Sequence, residues 1–335
     1  HVTGVQTCAL PILKQLSRLD RVGLAALARV AAVEAPFTTY HLGFVFGPRI
    51  NAGGRVGRCD LGARLLATEH QAEAENLAQE LDKHNRERQA VEAMILDDAV
   101  ARAGLQNEQA FVFVTGDGWH PGVVGIVASR LTERFRKPSF VAGFADGAVA
   151  RGSARSVRGV DLGAIVRAAQ AQGLLEAGGG HAMAAGFSLH RERIDAFTVF
   201  LRHSLDAQRE KIAGAGELPV DALVSPKGAT LALLDDLERA APYGAGNPEP
   251  VFVVPDATIA YADKVGSNHV RLRLQGADGA ALGAIAFRAA DTPLGEGLLR
   301  ARGRRVHVLG KLKRDNFNDA ARLQLVVDDA ASAGA

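Results

Sequence analysis

The sequence predicts a multidomain chain in which an α/β region is followed by a small β-barrel, and three observations predict it. From Glu69 to about Ala101 there is no Gly or Pro, and apolar residues recur at helical intervals. From Phe111 to Glu210 short apolar runs alternate with helical patterns, as in an α/β unit. Beyond Pro250 five short strand patterns follow one another with little helix between them, which fits a barrel of the OB type.

Taken in order, residues 1–12 read as a non-native, adapter-derived segment. There is no initiator Met, and Val2–Ile12 (VTGVQTCALPI) has neither a basic start nor an apolar core long enough for a signal peptide. Leu13, Leu16, Leu19, Leu24, Leu27 and Val30 are spaced for one or two short helices. Pro36, Gly43, Gly47 and Pro48 predict a loop, and Asp60 is placed to cap a short helix over 60–68. The long helix from Glu69 carries Leu77, Leu81, Val91 and Ile95 on one stripe, a strut able to join two domains. Strands are predicted at Phe111–Thr115, Ser139–Phe144, Gly147–Ser156 and Ala184–Leu189. Helices are predicted at Val123–Phe135, Asp161–Gln172 and Arg193–Glu210, with a glycine loop before Ala184. Lys211–Ala241 reads as a linker with a Leu-rich helix, and Pro242–Pro250 as a boundary. The barrel strands are expected at Val251–Val254, Val270–Leu274, Ala284–Phe287, Val306–Lys311 and Arg322–Val327.

Composition is that of an ordinary globular chain, 47% hydrophobic and 23% charged, with no apolar run long enough to span a bilayer. Two cysteines, Cys8 and Cys59, cannot build a disulfide framework, so a cytoplasmic protein is the default expectation. The net charge of +2 predicts no polyanion by itself, but its distribution is uneven. Residues 69–98 hold nine acids and three bases, whereas 251–335 hold twelve bases and nine acids. The later segments therefore present the basic surface a nucleic acid would use.

Five stretches are candidate sites. In Gly178-Gly179-Gly180-His181 the glycines let a ligand approach the backbone, and His181 can donate to a phosphate. A tight turn with a satisfied histidine explains the same residues. Ser153 and Arg155 stand at i and i+2 of a strand, so hydroxyl and guanidinium share one face and could clamp an anion; a solvated strand edge is the alternative. Arg49, Asn51 and Arg55 lie in a glycine-rich stretch, Gly47–Arg55, that could grip a phosphate or serve as a rigid interdomain turn. His120 precedes a helix N-terminus that can host an anion and is a candidate DNA contact, although bracing the loop explains it better. Arg304, Arg305, Lys311, Lys313 and Arg314, with Phe317, are candidates for DNA contact in the barrel, against a generic solvated face. No Asp-x-Asp, Asp-His-His, His-x-x-x-His or cysteine pair is present, so no metal site is predicted in this chain.

Seven stretches in order, GPRINAGGR, LDKHNRERQ, GWHPGVVGIVASRL, RGSARS, GGGHAMAAGFSL, YGAGNPEPVF and LKRDNFNDAARLQLVVDD, resemble the RecJ family of the DHH phosphoesterase superfamily over roughly residues 13–330. The resemblance implies a single-stranded-DNA-specific 5′→3′ exonuclease of DNA repair and recombination, dependent on Mn²⁺ or Mg²⁺. It implies single-stranded DNA as substrate, with single-strand-binding protein and repair helicases as further partners. It divides the chain into the end of a DHH domain (13–68), a connecting helix (69–105), a DHH-associated domain (106–210), a linker (211–249) and an OB domain (250–335). Ser153 and Arg155, with Arg49 or Arg55, would hold the 5′-terminal phosphate, and Gly178, Gly179, Gly180 and His181 would cradle the nucleotide. The metal-binding motifs of the family are not in this sequence, so the polypeptide alone is expected to bind without cleaving. Two alternatives are a DHH-type phosphodiesterase for very short oligonucleotides, which would lack the barrel, and a non-catalytic single-strand-binding module.

Overall fold

The computed structural model describes residues 4–106, 108–145, 147–214, 218–244, 246–315 and 322–334. Two compact units are present, Gln15–Leu218 and Pro219–Ala335, the latter grouped with residues 1–14. Helix α1 (Gly4–Leu16) runs across the first of these limits.

The first unit opens with α2 (Val22–Val30), a π-helical turn (His41–Phe46), α3 (Gly47–Val56), α4 (Leu61–Ala67) and α5 (Gln71–Gly104). The stretch Gly43–Arg55 is thus helical where its glycines and proline predict a loop. Pro48 lies in the first turn of α3, where a missing N–H costs nothing. A Cβ on Gly53 would meet the Arg58 carbonyl oxygen at 2.6 Å, so this glycine serves close packing and not a turn. Asp60 precedes α4 without capping it, because its carboxylate is taken by Arg58 at 2.8 and 3.2 Å. The inward stripe of α5 packs Ala74, Leu77, Ala78 and Leu81 against α2, α3 and α4.

A five-stranded sheet follows, formed by β1 (Val112–Asp117), β2 (Ser139–Phe144), β3 (Val149–Arg155), β4 (Ala177–His181) and β5 (Ala184–His190), in the order β1-β2-β3-β5-β4. Only the β1–β2 pair is parallel. The three glycines expected in a loop form an edge strand, paired antiparallel with β5. One face of the sheet buries Phe140, Ala154, Phe187 and Leu189 against α7 (Leu162–Ala171) and α8 (Ile194–Asp206). Asp161 caps α7, accepting from the Ala164 N–H at 2.9 Å. The other face packs Val112, Val114 and Val141 against α6 (Pro121–Phe135) and the end of α5. A short helix, α9 (Arg209–Gly214), closes the unit.

In the second unit β6 (Ala222–Leu223) and α10 (Leu231–Arg239) precede a barrel of β7 (Phe252–Val265), β8 (His269–Gln275), β9 (Ala281–Ala286), β10 (Arg305–Asp315) and β11 (Arg322–Ser332). The order β10-β11-β9-β8-β7 closes through β10–β7 pairing. Within the barrel the parallel pair is β9–β11, and β6 pairs with β7 in parallel outside it. Helix α11 (Pro293–Arg300) lies between the third and fourth barrel strands, where little helix was expected; Thr292 caps it through its hydroxyl. Closure removes free sheet edges, and alternate residues such as Val270, Leu272 and Leu274 fill the interior.

Candidate nucleic-acid interface

The first candidate surface is the face of the five-stranded sheet that carries Ser153 and Arg155. Strand register carries this face across three strands. Arg155 is opposite Ala184, which is opposite His181; Ser153 is opposite Gly186, which is opposite Gly179. Directly opposed residues point to the same side of a sheet. Arg155, Ser153 and His181 therefore border a patch floored by Gly186 and Gly179, and His181 stands about 10 Å from β3, two strand spacings away. A Cβ on Gly179 would meet nothing within 4 Å, so the floor is open. Gly178 and Gly180 have packing reasons instead. A Cβ on Gly178 would lie 2.6 Å from Val166 Cγ1, and one on Gly180, at φ +154°, 2.3 Å from the Ala184 carbonyl oxygen. His181 is exposed, while Arg167 anchors β4 by donating to the Gly180 carbonyl at 3.1 Å.

Helix α6 walls one side of this patch. Its Gly125 lies against Ser153 Oγ and Arg155 Nη2, each 3.2 Å from where a Cβ would be. Larger residues there would displace the pair. Arg155 donates to its neighbour's carbonyl, Ala154 O, at 2.9 Å. Burial lowers the pKa of its guanidinium, and the positive charge of Arg55 pushes it the same way. Arg55 itself donates to the Gly122 carbonyl at 2.9 Å. Two guanidinium groups thus lie at the start of α6, near enough for the charge of one to act on the other, with no carboxylate bound to either among the described residues. An anion placed between them would relieve both the repulsion and the desolvation.

The other residues singled out from the sequence sort differently. Arg49 points into the helical region, where its Nε donates to Asp82 at 2.9 Å and its Nη1 to the Val45 carbonyl at 2.9 Å, so it is occupied as a structural ion pair. Asn51 is exposed, one helical turn before Arg55 on α3. His120 is the N-cap of α6, its Nδ1 accepting from the Gly122 N–H at 3.1 Å. That hydrogen bond braces the loop ahead of α6.

The second candidate surface is on the barrel. A groove of about 1030 Å³ runs over β8, β9 and β11, lined by Tyr261, Arg271, Arg273, Phe287, Arg322 and Gln324 among others. Gly283 lies in its floor. Arg271 and Arg302 lie over the Tyr261 ring at 5.9 and 5.8 Å, and exposed Phe287 meets His269 edge-on at 5.3 Å. Arginines beside aromatic rings suit a single strand whose bases stack and whose phosphates pair. None of Arg304, Arg305, Lys311, Lys313 or Arg314 lines this groove. Arg305 is paired with Asp256, Lys311 lies 3.8 Å from Asp328, Lys313 is bound to Glu249 at 2.5 Å, and Arg314 is gripped by Asp235 at 2.6 Å and Glu238 at 2.9 Å. Those carboxylates hold the Arg314 guanidinium far above its ordinary pKa, Glu238 contributing most. Phe317 lies outside the described residues. The groove arginines were legible in HVRLRLQ (His269–Gln275), whose strict alternation places Arg271 and Arg273 outward.

Comparison with known proteins gives these surfaces a family. Residues 107–206 match the model of the DHHA1 domain, and residues 220–329 that of the RecJ OB domain. Single-stranded-DNA-specific exonuclease RecJ of Bacillus subtilis strain 168 is 32% identical over 324 residues, covering 95% of this chain and 40% of its own length. The protein of the same name from Escherichia coli K12 is 31% identical over 322 residues, 92% of this chain and 54% of its own. A crystal structure of Thermus thermophilus RecJ in complex with Mn²⁺ superposes with a TM-score of 0.76 at 27% identity, over 96% of this chain and 46% of that one. Its complex with Mg²⁺ gives 0.77 over 100% of this chain and 50% of that one. The chain spans about half the length, or less, of these relatives. With a DHHA1 domain followed by a RecJ OB domain, it belongs to the RecJ family.

Proposed function

We propose that this chain is the substrate-holding part of a single-stranded-DNA-specific 5′→3′ exonuclease that acts in DNA repair and recombination. The observation that carries the proposal is the pair of guanidinium groups, Arg55 and Arg155, without a bound carboxylate among the described residues, beside Ser153 and the glycine floor. A 5′-terminal phosphate carries more charge than an internal one and fits a site with two cations and a hydroxyl. Arg55 is the better partner for Arg155, since Arg49 is committed to Asp82. Gly179 gives the sugar–phosphate backbone close approach, and exposed His181 can donate to it. The barrel groove offers a second surface for single-stranded DNA, through Tyr261, Arg271 and Arg273. A barrel after Pro250 weighs against an enzyme confined to very short oligonucleotides.

The solved Thermus relatives are complexes with Mn²⁺ and Mg²⁺, and the same ions are proposed for the complete enzyme. The described residues do not fit such a centre: among them no group of three or more His, Cys, Asp or Glu side chains could hold a metal ion. Its part is therefore grip and 5′-end selection. The proposal includes a cytoplasmic location and, as partners beyond single-stranded DNA, single-strand-binding protein and repair helicases. It also includes the domain limits expected from the sequence, with 1–12 as a non-native segment, 13–68 as the end of a DHH domain, and 106–210 and 250–335 as the binding domains. No helix of the described residues is long and apolar enough to cross a membrane.

Fluorescence anisotropy with 5′-phosphorylated and 5′-hydroxyl oligothymidylate tests the pocket. The phosphorylated strand is expected to bind about tenfold more tightly or better, and Arg155→Ala to remove most of that difference, as loss of a charged hydrogen bond implies. Equal affinity for both strands would sink the pocket.

A further inference from the structure

The inward stripe of α5 changes character midway. Leu77, Ala78 and Leu81 belong to one apolar core, and Ile95, Ala99 and Ala103 to another. Between them, at three- and four-residue intervals on the same face, stand Asn85, Arg88 and Glu92. Asn85 is 2% exposed and Arg88 7%. The Arg88 guanidinium donates twice to Asn85 Oδ1, at 3.1 and 3.3 Å, and a third time to the Glu92 carboxylate. The other Glu92 oxygen lies 3.6 Å from Arg130 Nε on α6. At the near end of this stretch Asp82 holds Arg49 of α3 at 2.9 Å and Arg86 at 2.8 Å. Helix α5 thus extends one carboxylate to α3 and another to α6, the two helices whose meeting places Arg55 near Arg155.

Apolar residues would hold these helices together at least as well, because a buried ion pair gives back most of its attraction as lost hydration. What buried polar contacts add is direction, since each bond fixes one register. Register matters at this junction for two reasons. Arg55 and Arg155 repel each other, so a loosely packed junction would relax by letting them part. The α3–α6 contact is also close: a Cβ on Gly122 would lie 2.3 Å from the Arg55 carbonyl oxygen. We propose that Asp82, Asn85, Arg88 and Glu92 form a positioning rail that holds Arg55 against Arg155 and so sets the preference for a phosphorylated 5′ end. The inference rests on the pocket proposed above. These are positioning residues, since none lies on the ligand-facing surface.

The test uses the whole 335-residue chain and the same two oligothymidylates. Asn85→Leu/Arg88→Met/Glu92→Leu replaces the rail by apolar side chains and strands no buried charge, because Arg130 keeps Glu133 at 3.3 Å. This variant is expected to unfold at or above the wild-type temperature, with unchanged emission from Trp119, the only tryptophan, which is buried. Its preference for the phosphorylated strand is expected to fall at least about fivefold, the scale on which small misplacements act. Asp82→Asn keeps an acceptor for Arg49, probes the α3 arm separately, and is expected to lose a smaller part of the preference; it decides the matter if the triple variant does not fold. Full preference in a folded rail variant overturns the rail and leaves the pocket standing. A wild-type chain without preference overturns the pocket and the rail with it.

Discussion

Gly179 and Gly180 are neighbours in β4 with opposite obligations. Gly180 is fixed by the hairpin: its φ of +154° and its 2.3 Å approach to the Ala184 carbonyl leave no room for a side chain. Gly180→Ala is therefore expected to cost about 2 kcal/mol or more in urea unfolding. Gly179 faces open space, so Gly179→Ala should leave stability within about 0.5 kcal/mol. Its new methyl group would stand on the floor beside Ser153 and His181, and single-strand affinity should drop about tenfold. If Gly179→Ala binds like wild type, the strand does not lie on this floor. Three glycines in a row announce close approach, but sequence spacing does not say to what. Only the register separates the glycine that faces Val166, the one that faces Ala184 and the one that faces solvent. Arg49 and Arg55 pose the same difficulty. They are six residues apart and alike in type, and only the tertiary partners Asp82 and Gly122 distinguish the occupied guanidinium from the available one.

At the scale of elements, hydropathy period carried the reading of α5, α6, α7 and the barrel strands, because each of those segments buries an apolar stripe. It failed for α3 and β4, where glycines serve close packing and composition imitates a loop. Helix α11 was missed although Thr292-Pro293 is a start signal, since it has eight residues and two glycines. On the barrel, density of charge pointed to β10, whereas the groove arginines sit on β8 and β11. The reason is pairing: the cations of β10 lie beside Asp256, Glu249, Asp328 and the acids of α10. Substitution separates the two strands. Arg271→Ala and Arg273→Ala are each expected to reduce the salt slope of single-strand binding by about 0.7, the share of one phosphate contact. Arg314→Ala should leave the slope as it is, because that guanidinium already has two carboxylates. A titration of affinity against NaCl concentration measures both, and an equal loss at Arg314 would place the strand on β10 instead.

At the scale of the whole molecule, binding and bond cleavage make separate demands on the side chains. Grip on a single strand needs cations, donors, rings and exposed glycine, and each compact unit offers its own set: Arg55, Ser153, Arg155 and His181 in one, Tyr261, Arg271 and Arg273 in the other. Metal-assisted hydrolysis needs carboxylates and histidines converging on ions roughly 4 Å apart. Many of the described acids are instead spread over ion pairs, as Asp82 with Arg49, Glu92 with Arg88 and Asp117 with Arg191. Binding by this polypeptide should therefore be independent of divalent ions. Its affinity for a 5′-phosphorylated strand is expected to be the same in EDTA as in millimolar Mn²⁺ once ionic strength is matched, since screening alone would otherwise weaken it. The bound strand should keep its full length on a denaturing gel after prolonged incubation in Mn²⁺ or Mg²⁺. Shortening from the 5′ end that EDTA stops would show that these residues do assemble a metal centre, and grip and chemistry would then have to be assigned to the same chain.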